Sequence, residues 1–157
     1  SSSMINDDDI QYSIINSIFN LLYYKNILTS SLLEEKRIEL ICSKIIFCGY
    51  KIAQMCAYLY LAIASEVDDF SQMINDEVIE KIFGIMEKRK GNFVQSSLHY
   101  LDLILEKQQS QNKNDLFDLI LQIEGNELIN DMIDSEDENV SKQAYQISQK
   151  YFNQILN

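Results

Sequence analysis

A chain of 157 residues with 46% hydrophobic side chains is long enough for one domain with its own core and too apolar for a disordered tail. Thirteen Lys and Arg against twenty-four Asp and Glu set a formal charge of -11, which repels phosphate backbones and excludes nucleic acid as a direct ligand. No proline and only four glycines leave too few turn formers for a strand-rich fold, so the expected class is all-α.

In chain order, Ser1–Ser3 ahead of Met4 read as an expression remnant, and residues 1–9 are expected to be a tag remnant or disordered leader before a domain over 10–157. The acids Asp7–Asp9 suit a helix N-terminus, and Ile10, Ile14, Ile15, Ile18, Leu21 and Leu22 then share one face at helical spacing. Ser30 or Ser31 is a candidate cap for the next segment, with Leu33, Ile38, Ile41 and Ile45 inward before Gly49 breaks it. From Lys51 to Ser65 the pattern is apolar on most faces, which marks a helix with protein on several sides. A short helix is expected over Phe70–Ile74. Another follows over Asp76–Lys88, with Val78, Ile79, Ile82, Phe83, Ile85 and Met86 inward.

Gly91 breaks the chain again, and "NFVQSSLHYLDLILEKQQ" predicts a longer helix. The polar tract "QQSQNKND" reads as a loop. Two short helices split at Gly125 follow, and the last helix lies within "DSEDENVSKQAYQISQKYF". That makes about nine helices in one domain.

Chemistry-bearing residues are sparse. Cys42, Cys48 and Cys56 are odd in number, lack paired spacing and lie in apolar helices, so they read as buried free thiols in a reducing compartment. His99 has no nucleophile at an evident spacing and no partners for a metal, so neither catalysis nor a cofactor is expected. The longest apolar run, Met55–Ala64, is too short to cross a bilayer, and no cleavable signal opens the chain. The basic cluster Lys88, Arg89 and Lys90 ends a helical pattern, where it complements the dipole.

Self-similarity is more informative. Setting "GYKIAQMCAYLYLAI" from Gly49 beside "GNFVQSSLHYLDLIL" from Gly91, an offset of 42, aligns Ile52 with Val94, Cys56 with Leu98, Tyr58 with Tyr100, Leu59 with Leu101, Leu61 with Leu103 and Ile63 with Leu105. A further offset of 46 carries Val94 to Val140, Leu98 to Ala144, Leu101 to Ile147 and Leu105 to Tyr151. Units of two or three helices recurring every ~40–47 residues mark armadillo and HEAT arrays. The expected architecture is an armadillo/HEAT-like right-handed α-solenoid of about three repeats, near 10–66, 67–110 and 113–157. Gln143, Gln146, Gln149 and Lys150 in the final copy suit a terminal cap whose outer face meets water. A solenoid start at Ile10 would leave an apolar face open, which points to a fragment of a longer array or to a partner over that face.

The run "ILQIEGNELINDMIDSEDENVSKQAYQISQKYF" over Ile120–Phe152 resembles the last armadillo repeat of the importin-alpha (karyopherin-alpha) import adaptors, through Ile120, Gly125, Ile129, Met132, Glu136, Glu138, Val140, Tyr151 and Phe152. "QSSLHYLDLIL" and "YKIAQMCAYLYLAIAS" are similar to the two repeats before it. The resemblance covers most of the chain and weakens toward its start. It implies a protein-binding adaptor of nucleus and cytoplasm, whose last repeats meet an export receptor and nucleoporins. Departures from the pattern count as well. The family's signal groove uses a Trp and an Asn four residues later, whereas this chain has no Trp and carries Ala57 and Leu61 at those places. Glu124 replaces the first glycine of a pair, and Ser135 replaces a histidine. Binding of a conventional basic signal is therefore not expected in this segment.

Two candidate partner surfaces result. Tyr58, Leu61, Tyr100 and Leu103 would line a concave face, although an aromatic stripe at helical spacing also suits a core. Asp131, Asp134, Glu136, Asp137 and Glu138 would form an acidic C-terminal edge steering a basic partner, or simply a solvated helix N-terminus. The expected function is non-enzymatic protein binding, as a transport adaptor or as a scaffold subunit of a stable complex, with no small-molecule substrate, nucleic acid or membrane.

Overall fold

The computed structural model describes residues 35–88 and 92–153, and every regular element among them is helical. The expected leader, the segment from Ile10, the Ser30 or Ser31 cap, the Gly91 break and residues 89–90 of the basic cluster lie outside the described residues.

Helix α1 (Glu35–Phe47) turns Ile41, Cys42 and Ile45 inward. Gly49 follows in an extended conformation that any residue could adopt, so it separates two helices without a need for glycine's extra freedom. Helix α2 (Tyr50–Glu66) is buried at eleven of its seventeen residues, the consequence of an apolar pattern on most faces. Val67 ends it in extended backbone. The short helix expected over Phe70–Ile74 is a single 3-10 turn, Phe70–Gln72, in which Asp69 accepts from the Ser71 amide. Helix α3 (Asp76–Glu87) starts where Asn75 accepts from the Val78 amide and acids fill the first turn. All six of its predicted inward residues are buried.

Helix α4 (Phe93–Ser110) continues through the first part of the tract read as a loop. Composition misled there because Gln108 is buried, and its Oε1 accepts from the Leu116 amide at 3.0 Å, satisfying an orphan donor at the start of helix α5 (Asp115–Gln122). The true connection is short and turns at Asn112, in the left-handed region at φ 57°. Helix α6 (Gly125–Asp131) follows a second left-handed residue, Glu124 at φ 61°. So Glu124 makes the break that the sequence assigned to Gly125. The glycine answers a different constraint, because a Cβ at 125 would stand 2.8 Å from Phe83 Cε1 and 3.1 Å from Ile120 Cγ2. A 3-10 turn (Met132–Asp134) leads to helix α7 (Glu138–Ile147), which widens into a π turn over Ser148–Phe152.

Packing runs in series. Helix α4 packs on α2 and on α7, while α3 packs on α1 and on α6. Cross-links join the two rows, with α1 and α3 on α2, and α6 on α7. Three of the aligned sets are buried in α2, α4 and α7: Ile52, Val94 and Val140; Cys56, Leu98 and Ala144; Leu59, Leu101 and Ile147. Tyr60 anchors the 67–75 segment, since its hydroxyl donates to the Met73 carbonyl at 2.8 Å and its ring meets Phe70 edge-on. Burial pushes that phenol well above its ordinary pKa. At the other end the Phe152 ring, fully buried, stacks on Phe117 with centroids 5.2 Å apart.

The two described helical glycines should respond oppositely to a methyl group. Gly125→Ala meets the Phe83 ring and is expected to cost about 1–3 kcal/mol. Gly84→Ala has nothing within 4 Å of the new Cβ and is expected to stabilise by about 0.5–1 kcal/mol. Urea denaturation of both variants checks the pair, and equal effects would contradict the close approach at Gly125.

Candidate partner-binding surface

The sequence set four residues on one face, and the structure brings two of them into contact. Tyr58 and Tyr100 meet edge to face, with centroids 5.5 Å apart and planes at 86°, and the Tyr100 hydroxyl donates to that of Tyr58 at 3.3 Å. Both are half-buried, and Leu103 is 38% exposed one turn further along α4. Leu61 is not part of this surface. It is 0% exposed, because α2 has neighbours in α1, α3 and α4 and its apolar pattern leaves little of it open. The exposed part of the face is therefore Tyr58, Tyr100 and Leu103, with exposed His99 beside Tyr100 at a centroid distance of 5.6 Å.

A series of polar contacts joins residues 40–44 apart in the chain. Lys107 donates to the carbonyls of Ser65 at 2.9 Å and Val67 at 2.7 Å, so a cation on α4 satisfies backbone acceptors at the C-terminus of α2. Gln111 donates to the Asp68 carbonyl at 2.5 Å, Lys113 pairs with Asp69 at 2.7 Å, and the Ser71 hydroxyl donates to Asp115. The hydrogen bond from Lys113 holds the Asp69 carboxyl below its usual pKa range. Its contribution is thus present above the ordinary carboxylate range and is lost as pH falls through the lowered value.

Between α4 and the last helix, Asp102 on α4 is the hub. Lys150 donates to Asp102 Oδ1 at 3.1 Å, and the Tyr151 hydroxyl donates to the same carboxylate at 2.6 Å and to the Asp102 carbonyl at 3.1 Å. Glu106 lies 3.6 Å from Lys150. Burial, and then the Asp102 contact, push the Tyr151 phenol up. Sequence reasoning missed Lys107 and Asp102, although the offset of 42 that pairs Tyr58 with Tyr100 also pairs Ser65 with Lys107. The signal was there, carried by polar rather than apolar positions.

All five predicted edge acids, Asp131, Asp134, Glu136, Asp137 and Glu138, are exposed. Asp137 is engaged as the cap of α7, accepting from the amides of Asn139 at 2.9 Å and Val140 at 3.3 Å. For that residue the helix-terminus role holds. The other four have no ion-pair partner among the described residues and leave a negative edge facing solvent.

The cysteines are free. Cys42 and Cys56 are buried, which raises both thiols, Cys56 to about 12, and Cys48 is half-buried. Among the described residues no group of three His, Cys, Asp or Glu could hold a metal ion, and no helix is long and apolar enough to cross a membrane. Compared with family models, characterised proteins and solved structures, the chain matches none of them.

Lys107→Met keeps the aliphatic stem but strands two buried-residue carbonyls, and the expected loss is about 1–3 kcal/mol by thermal or urea unfolding. Lys142→Met, exposed and without an ion pair among the described residues, should stay within about 0.5 kcal/mol of the parent. Equal stability of the two variants would show that the Lys107 contact has no structural weight.

Proposed function

We propose that the chain is a non-enzymatic protein-binding module of armadillo-like repeats, stacked as a right-handed α-solenoid and similar to the C-terminal end of an importin-alpha-type adaptor. In this reading the segment does not bind a conventional basic import signal. Its partner surfaces are the Tyr58, Tyr100 and Leu103 face and the acidic edge.

The observation that carries the reading is the chain of contacts at a repeat-like spacing. Tyr100 reaches Tyr58 and Lys107 reaches Ser65, both 42 residues back, and Tyr151 reaches Asp102, 49 residues back. Equivalent positions, as in the first two contacts, or near-equivalent ones, as in the third, meet in this way when hairpins stack in register, each covering the apolar face of the one before. The want of Trp, with fully buried Ala57 and Leu61 at the groove positions, supports the loss of signal reading. The adaptor resemblance rests on the residues from Ile120 to Phe152 and would place the protein in nucleus and cytoplasm. A scaffold subunit of a stable complex is the second reading. Buried Leu61 favours it, since a groove closed at that position has no cargo role to keep.

Two measurements test this. A lysine-rich import-signal peptide titrated into the folded protein should show no micromolar binding, and such binding would overturn the assignment of the groove positions. In affinity capture, recovery of an export receptor that depends on a GTP-bound GTPase fits the adaptor, whereas one stoichiometric, nucleotide-independent partner fits the scaffold. With either basic partner, Glu136→Lys with Glu138→Lys should slow association, with the effect shrinking as salt rises. An unchanged association rate at low salt would remove the acidic edge from the proposal.

A further inference from the structure

A third surface lies near the start of the described residues. Between α1 and the segment from Val67 to Asn75 runs an open cleft of about 860 Å³, floored by Cys42, Ile46 and Met73 and walled on one side by Phe47. Phe47 is 80% exposed, and Leu40, seven residues earlier on the same face of α1, is 57% exposed. These are two of the four exposed large hydrophobic side chains among the described residues. Single exposed apolar residues are ordinary; of these two Phe47 lines the cleft, while Leu40 stands further along the stripe with Ser43 and Lys44 between them.

Among the described residues that line the cleft, the charged ones are all acids. Glu39 and Asp68 stand exposed at its rim, neither has an ion-pair partner among the described residues, and no Lys or Arg is among the residues that line it. Asp69, the third acid there, is already neutralised by Lys113. An occupant that completes this surface brings an apolar stripe for the floor and cations for the two rim carboxylates. A second copy of a chain with a net charge of -11 is poorly suited to do so, and residues 10–33 of this chain carry a single cation, Lys25.

We propose that the cleft seats an amphipathic helix of a partner protein, its apolar stripe against Phe47, Ile46 and Met73 and a Lys or Arg on its flank between Glu39 and Asp68. Affinity comes from the apolar stripe, while the rim acids set orientation and exclude acidic helices. The inference stands apart from the preceding reading, because it uses neither the repeat register nor the acidic C-terminal edge.

The chain has no tryptophan, so Phe47→Trp in the 157-residue chain puts one indole at the cleft wall, at a position exposed enough to accept it. Two synthetic helical peptides with the same leucine stripe, one flanked by lysines and one by glutamates, are titrated at low salt. The lysine-flanked peptide should shift the emission to the blue and bind at least about tenfold more tightly than the other. Glu39→Lys with Asp68→Lys should reverse the preference, and Glu136→Lys with Glu138→Lys should leave it unchanged. Calorimetry with the unsubstituted protein should give the same ranking. Equal affinities, no spectral shift, or a preference abolished by the C-terminal rather than the rim reversal would overturn the proposal. So would an emission already blue without peptide, meaning that the chain fills its own cleft, or one that shifts with protein concentration alone, meaning that a second copy does.

Discussion

Helix α2 cannot exist by itself in water. Eleven of its seventeen residues are buried, on more than one face, so it is stable only when other helices close over it. Each fully buried Leu or Ile contributes on the order of 1.5–3 kcal/mol relative to exposure, far more than any single surface contact in the chain. Helices α1, α3 and α4 do the covering. Helix α4 thereby acquires a covered face and an uncovered one, and α7 closes the second. Burial thus dictates serial packing, and the polar residues have only to choose the register.

That choice falls to a few long-range contacts. An apolar stripe of Ile, Val and Leu is tolerant of sliding by a turn, because such side chains pack in several ways. Lys107 is less tolerant, since its ammonium must reach two specific carbonyls at the C-terminus of α2. Asp102 does the same for the next junction, taking the side chains of Lys150 and Tyr151 together. The final π turn belongs to this requirement. It accompanies the placement of Tyr151 on Asp102 and of neighbouring Phe152, fully buried, against Phe117.

Much of this was legible because it is periodic. The inward residues of α3, the ends of α2 and the offset of 42 between α2 and α4 follow from apolar spacing alone, which depends on helix geometry and little else. What escaped depends on single tertiary contacts. The tract after Lys107 is polar in composition, yet Gln108 is buried as a bridge to α5, so the helix runs further than its composition suggests. Gly125 looked like a break and is a close approach to Phe83, with the break made by Glu124 in a left-handed conformation that its residue type gives no reason to expect. Leu61 and Leu103 hold equivalent places in their helices and differ only in how many neighbours cover them, which no local pattern records. The cleft beside Phe47 was invisible for the same reason, as it is formed by two segments apart in sequence.

The register between α2, α4 and α7 is the claim on which the proposed Tyr58, Tyr100 and Leu103 surface depends, because it places Tyr58 beside Tyr100. Proton NMR on the aromatic rings reads it directly. Serial packing predicts nuclear Overhauser cross-peaks between the Tyr58 and Tyr100 rings and between those of Phe117 and Phe152. A folded, helical protein whose spectrum lacks the Tyr58–Tyr100 peak would contradict it.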